Sequence, residues 1–228
     1  MAYRDRYDLE PLHIRAYLRA GVVADKQMPL DGILLYQAHR DEHGPQAMTI
    51  PGDYTCQGIS TLPLDIVHPG RQNWYYCCSW AQWSHDIEGH DHWNKRFDSQ
   101  FADLVDFSNR RGKVIIEEGR YKAYHMPIFY HAALWVEWFC MGDKAEIERL
   151  LSTVTHIGKK GAQGWGRVRR WEIESWPEDW SVWHDKRLMR GIPAEDMGQE
   201  FPIGIDVTHY GIRPSYWKAS NQMLLVMP

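Results

Sequence analysis

Two strand–helix units, one near the start of the chain and one beyond its middle, predict an α+β fold: a ferredoxin-like (RRM-like) sheet backed by two helices. Three observations carry this expectation. An alternating apolar run opens the chain at Leu12–Ala20, a strand leads into a capped amphipathic helix from Leu134 to about Ile157, and a further strand, Arg167 to Glu174, follows a glycine-rich loop.

In the first run Leu12, Ile14, Ala16 and Leu18 alternate with His13, Arg15, Tyr17 and Arg19, the period of a strand with one wet face. Arg15 and Arg19 therefore share the polar side. After Gly21 to Met28, Pro29-Leu-Asp-Gly-Ile-Leu-Leu-Tyr36 reads as the start of a short helix ending near Asp41 to Pro45. Residues 12–40 thus form the first strand–helix unit.

The middle is less regular. Pro51-Gly52 and Pro69-Gly70 punctuate it, and Asn73 to Trp83 reads as an aromatic strand whose Trp74, Tyr75, Tyr76, Trp80 and Trp83 suit a core or a subunit interface. From His92 to Ser108, Trp93, Phe97, Phe101, Leu104 and Val105 recur at helical spacing and predict an amphipathic helix. A hairpin is expected next, Val114–Ile116 and Tyr121–Tyr124 flanking a Glu-Glu-Gly-Arg turn. Residues 84–126 then read as an insertion on one side of the main sheet.

The unit at 130–174 is the clearest. Asp143 is placed to cap a helix beginning at Lys144, with Glu146 as its reciprocal partner, and Ile147, Leu150, Leu151, Val154 and Ile157 form one apolar stripe. Residues 175–228 read as a loop-rich C-terminal extension with extended pieces around Arg213-Pro-Ser-Tyr-Trp217. The whole chain is expected to be a single domain.

Bulk properties remove several function classes. With 44% apolar residues the chain is not a disordered one, and no uninterrupted apolar window reaches the roughly 18 residues of a membrane span. The opening residues have no apolar signal-peptide core, so the expected compartment is the cytoplasm. Four cysteines, with Cys77 and Cys78 adjacent, make neither a disulfide framework nor a CxxC knuckle. A net charge of −4 argues against non-specific coating of nucleic acid, yet allows a local basic strip.

Such a strip lies between His156 and Trp171. Gly158, Gly161, Gly164 and Gly166 allow main-chain amides to approach an anion, and Lys159, Lys160, Arg167, Arg169 and Arg170 supply positive charge with no acid before Glu172. Gln163 adds a polar side chain, and Trp165 a flat surface for a base. That combination suits a grip on a phosphate backbone. A helix-capping glycine followed by an ordinary turn with solvated lysines is the bland alternative.

The loop Gly158-Lys-Lys-Gly-Ala-Gln-Gly-Trp-Gly-Arg-Val168, after a Leu-Leu helix and before a Trp-containing strand, resembles the glycine-rich loop of the CRISPR RAMP (repeat-associated mysterious protein) superfamily. Leu30-Asp-Gly-Ile-Leu-Leu35, Arg187-Leu-Met-Arg-Gly-Ile-Pro193 and Arg213-Pro-Ser-Tyr-Trp217 narrow the likeness to the Cas-five-type (Csf-three) subunits of type IV CRISPR effector complexes. Gly161-Ala162 stands where many relatives carry an Arg-Ser-type pair.

The resemblance implies a ferredoxin-like RAMP domain that takes no cofactor. It also implies a non-catalytic role: holding the 5-prime repeat-derived handle of a guide RNA and capping a filament of Cas-seven-type backbone subunits. A large or Cas-eight-like subunit and target DNA are further implied partners. A thumb-like hairpin would kink the RNA, and its best candidate is Arg110 to His125, with Arg111, Lys113, Arg120 and Lys122 as its cations.

Other candidate contacts are Arg15 and Arg19 on the first strand, and Arg213, Trp217 and Lys218 as an aromatic clamp. For the last group, packing of Tyr216 and Trp217 onto the core is the competing reading. Lys122, Tyr124 and His125 raise the alternative of a metal-independent repeat endoribonuclease, although Tyr124 and His125 would point to opposite sides of a strand. His85, His90 and His92 near Asp86 and Asp91 raise the alternative of a metal-dependent enzyme.

Overall fold

A computed structural model describes residues 6–44, 62–85, 87–105, 114–197 and 206–228. In chain order its first half carries β1 (Leu9–Leu18), α1 (Leu30–His43), β2 (Ile66–Val67), β3 (Tyr75–Tyr76), β4 (Gln82–Trp83), β5 (Ile87–Lys95) and β6 (Tyr124–Ala132). Then follow β7 (Trp135–Asp143), α2 (Lys144–Leu151), β8 (Val168–Ser175), β9 (Trp183–His184), β10 (Arg187–Leu188), β11 (Ile192–Pro193), β12 (Val207–Gly211) and β13 (Gln222–Val226). The fold is mixed α and β, with few helices and antiparallel sheets.

The main sheet runs β4-β7-β1-β8, and every neighbouring pair is antiparallel. The alternation in β1 does its predicted work on one face: Leu12, Ile14 and Ala16 are buried against Leu30 and Leu34 of α1, Val136, Trp138 and Cys140 of β7, and Ile147, Leu150 and Leu151 of α2. Both helices therefore cover the same side of the sheet. Asp143 caps α2 by accepting the Glu146 amide at 3.1 Å, but the reciprocal bond is missing because Glu146 turns to Arg149 at 2.9 Å. The other Asp143 carboxylate oxygen accepts the Asp8 amide, and the Asp143 amide donates to the Pro63 carbonyl at 3.0 Å.

The opposite face is drier than an open sheet. His13 is buried beneath Phe139 and Trp176, and Trp180 extends this aromatic cover. The C-terminal extension, expected to be loop-rich with extended pieces around Arg213–Trp217, contains a three-stranded antiparallel sheet, β11-β13-β12. Its Ile192, Ile212, Leu225 and Val226 pack with Tyr75 and Trp80 in a second core. Those aromatic residues of the middle segment are thus core.

One predicted element is of the wrong type. Ile87–Lys95 is a strand, paired along its whole length with β6 from Ile87↔Ala132 to Lys95↔Tyr124, so the helix expected from His92 does not form. Ser99–Leu104 makes only 3-10 turns, with Phe101 and Leu104 exposed. The helical spacing of apolar residues there has no core face to bury, and cross-strand backbone bonding prevails. The small hairpin expected at 114–124 reduces to a turn closed by the Ala123 amide on the Ile116 carbonyl, and β6 begins at Tyr124.

Candidate nucleic-acid interface

The glycine-rich loop leaves α2 and returns as β8, and its shape is set by backbone conformation. Gly158, Lys160, Gly164 and Gly166 all have positive φ, between 65° and 91°. Gly166 is irreplaceable on space as well, because a Cβ there would lie 1.9 Å from the Ile157 carbonyl oxygen. Hydrogen bonds pin the loop to the turn after β1: Lys159 N–H donates to the Val23 carbonyl at 2.6 Å and Gly166 N–H to that of Gly21 at 2.8 Å. Gln163 and Gly164 donate to Lys160 and Gly161 within the loop, and Ile157 donates to Gly166. The amides of Lys159, Gln163, Gly164 and Gly166 are therefore engaged inside the protein.

The side chains remain outside. Lys159, Lys160, Gln163, Arg167, Arg169 and Arg170 are exposed, and Trp165 is partly so. The chain window has no acid before Glu172, and the fold adds Asp25. Asp25 lies 3.6 Å from the Lys159 ammonium, and Glu172 bonds Arg170 at 3.0 Å. The Lys159 pair is exposed on both sides and holds weakly, by about 1 kcal/mol or less. Arg170 is better satisfied, since its guanidinium also lies 3.7 Å above the Tyr17 ring.

Arg15 and Arg19 part company. Arg19 is exposed and its amide donates to the Arg167 carbonyl at 2.8 Å, so it stands at the foot of the loop. Arg15 places Nε and Nη2 on Glu137 at 2.9 and 2.7 Å. His13 reaches the same carboxylate oxygen at 3.0 Å, and Tyr17 donates to Glu172 at 2.8 Å. Burial works against the Glu137 charge, but the His13 and Arg15 bonds outweigh it and hold the carboxyl below its ordinary range. On this face Arg15 and Arg170 meet Glu137 and Glu172, which leaves little net charge for an anion.

Arg213 is also turned inward. Its Nη1 donates to the Gln72 and Trp74 carbonyls at 2.8 and 2.9 Å, with the Trp74 ring 4.7 Å away, and burial lowers its pKa. Trp217 and Lys218 are exposed just beyond it, so the expected clamp is not assembled from these three. Tyr216 instead donates to Asp31 at 2.5 Å. The three other motifs meet there: Asp31 of the first helix, Tyr216 of the last motif and Arg190, whose buried guanidinium bonds the Tyr76, Cys78 and Ile212 carbonyls. Burial raises the Asp31 pKa, and the Arg190 charge opposes that shift. Nothing in the sequence marked Arg190 as a buried cation.

The ribbon β5–β6 stands against the loop. Tyr130 of β6 packs on Trp165 at 4.6 Å between ring centres, and its ring crosses Gly89 so closely that a Cβ there would lie 2.4 Å from it. Lys160 reaches over Trp93 of β5 at 5.7 Å. Of the expected thumb cations, Lys122 and Arg120 are exposed near the ribbon's far end, while Arg111 and Lys113 lie outside the described residues, as does Asp86. Register places Tyr124 and His125 on opposite ribbon faces, His125 stacking on His92 at 4.4 Å. Among the described residues no group of three or more His, Cys, Asp or Glu side chains could hold a metal ion.

A model of the family described as CRISPR type IV associated protein Csf3 matches residues 89–228, from the third residue of β5 through the ribbon, the loop and the C-terminal sheet. The chain belongs to the Csf3 family. It is therefore a type IV CRISPR-associated subunit, and the loop and ribbon are features of that subunit. No curated protein matches the chain. No helix of the described residues is long and apolar enough to cross a membrane.

Proposed function

We propose that this Csf3-family chain is a non-catalytic subunit that holds the 5-prime repeat-derived handle of a guide RNA and caps a filament of Cas-seven-type subunits. The carrying observation is the loop itself. Its backbone is locked by left-handed residues and by bonds to Gly21 and Val23, and it presents Lys159 and Lys160 outward beside Arg19 and Arg167. A prepaid backbone shape lowers the ordering cost of binding a flexible strand. Lysine and arginine side chains, rather than an array of amides, make the phosphate contacts.

The ferredoxin-like RAMP reading rests on strand order. With β1, α1, β4, β7, α2 and β8 taken in sequence, the order β4-β7-β1-β8 is that of a split βαβ pair, and the ribbon is inserted between β4 and β7. That insertion is where a thumb would project. Guide pairing would read the target, with the protein holding the RNA backbone.

The test is Lys159→Glu with Lys160→Glu, co-expressed with the Cas-seven-type subunits and guide RNA. Retained RNA and subunit incorporation should both be lost while the thermal transition stays unchanged. Unaltered RNA retention in a folded double variant would reject the reading.

A further inference from the structure

The ribbon has two unlike faces. Since strand side chains alternate, Gly89, Asp91, Trp93 and Lys95 of β5 share one face with Tyr124, Met126 and Tyr130 of β6. This is the face that meets the glycine loop through Tyr130–Trp165 and Lys160–Trp93. His90, His92 and His125 occupy the other.

On the loop-side face Trp93 and Tyr124 are partly exposed and nearly parallel, at 19° with ring centres 6.3 Å apart. Three ammonium groups surround them. Lys95 and Lys122 lie 5.8 and 5.6 Å from the Tyr124 centre, and Lys160 lies 5.7 Å from that of Trp93. Lys95 also donates to the Arg120 carbonyl at 2.7 Å, which anchors it at the ribbon's end. These distances are near the outer limit of about 6 Å for a cation over a ring, so a base can take the ring face while the ammonium moves to a phosphate. Asp91 is the acid on this face, and its carboxylate accepts the neighbouring His92 amide.

We infer that Trp93 and Tyr124 form a stacking platform for an unpaired base of single-stranded RNA, with Lys95, Lys122 and Lys160 contacting the flanking phosphates. The inference rests on the RNA-holding reading of the loop and extends the bound strand from the loop onto the ribbon. Two features select this face. Among the described residues its cations Lys95, Lys122 and Lys160 face one acid, Asp91, whereas Arg15 and Arg170 on the main sheet are matched by Glu137 and Glu172. Its rings have a π-face for any base, so the site takes a splayed single strand without reading sequence, and a duplex cannot present its bases to it.

The test uses the full chain and a labelled single-stranded RNA of about ten nucleotides, a length suited to such grooves, beside the same strand with abasic positions. Trp93→Ala with Tyr124→Ala should weaken binding of the base-bearing RNA by about tenfold or more and leave abasic binding unchanged. Removing Lys95, Lys122 or Lys160 singly should each reduce the slope of log affinity against log salt by about 0.7. Lys159→Glu with Lys160→Glu should weaken both strands.

Wild-type affinity in the ring variant, with loss in the loop variant, overturns the platform and leaves the loop reading intact. Loss in the ring variant with none in the loop variant keeps the Trp93–Tyr124 stack but overturns the platform as drawn, since Lys160 then contacts no phosphate, and rejects the loop. No loss in either rejects both. Should the alanine pair fail to fold, Trp93→Ile with Tyr124→Ile keeps strand-forming bulk without a π-face and must show the same indifference to bases.

Discussion

Arg190 and Lys160 each stand beside a glycine in the chain and near an aromatic ring in space, yet they do opposite things. Arg190 is fully enclosed, faces Tyr75 at 4.7 Å, and bonds three carbonyls from two separate segments. Lys160 is exposed above Trp93, on a loop in which the amides of Lys159, Gln163, Gly164 and Gly166 are bonded inside the protein. The difference lies in hydrogen-bond geometry. A guanidinium can satisfy several fixed carbonyls at once and so tolerates burial, whereas an ammonium on a long stem keeps its hydration and stays available to an incoming phosphate.

The largest effect should come from the buried member. Arg190→Met removes the bonds to Tyr76, Cys78 and Ile212 and leaves the buried Asp31 without its compensating charge, for a loss of about 3–5 kcal/mol in denaturant unfolding. Lys160→Met should shift the same transition by no more than about 0.5 kcal/mol. Equal and small effects would mean that the Asp31–Arg190–Tyr216 cluster does not hold the C-terminal segment to α1.

This contrast also explains what could be read in advance. The strands β1, β7 and β8 and the start of helix α2 were legible because apolar periodicity and the Asp143 cap agree with burial on a single face, but the helix expected to run to Ile157 ends at Leu151, because the Ile157 amide bonds the Gly166 carbonyl of the returning loop. The loop's charge was legible as well. The acids that temper it were not: Glu137 is 122 positions from Arg15 in the chain, and Asp25 meets Lys159 only through the fold. Arg190 and Asp31 are charged residues in the core, which composition rules place outside. β5 was misjudged because Trp93 and Phe97 fit a helical stripe, whereas its partner β6 lies beyond a long intervening segment. Trp93, Lys95 and Tyr124 consequently escaped notice as one surface.

A second pair of residues sharpens the claim that the loop is locked in shape. Gly164 and Gly166 both have positive φ, but a Cβ at Gly164 meets nothing within 4 Å, while one at Gly166 collides with the Ile157 carbonyl. Gly164→Ala should cost about 1–2 kcal/mol, the conformational penalty alone. Gly166→Ala should cost more and, by displacing the loop, weaken RNA retention even where the chain still folds. Equal costs would show that the loop rearranges freely and that its fixed backbone is not what positions the lysines.

The smallest effect separates the sheet face from the loop by pH. Glu137 has its folded pKa lowered by the His13 and Arg15 bonds despite burial. A carboxyl with a depressed folded value stabilises the protein above its unfolded value, about 4.3, and that contribution disappears as pH falls through the lower folded value. Glu137→Gln should therefore cost about 1 kcal/mol at pH 7, given the partial exposure of the group, and progressively less as pH falls below the unfolded value. Thermal melts of both proteins across this range should converge on the acid side. RNA binding at pH 7 should be the same for the two, because Arg15 bound to Glu137 is part of the sheet's own charge balance. A gain in RNA affinity on removing Glu137 would show instead that Arg15 is a held-back nucleic-acid contact, and would extend the interface from the loop across the sheet.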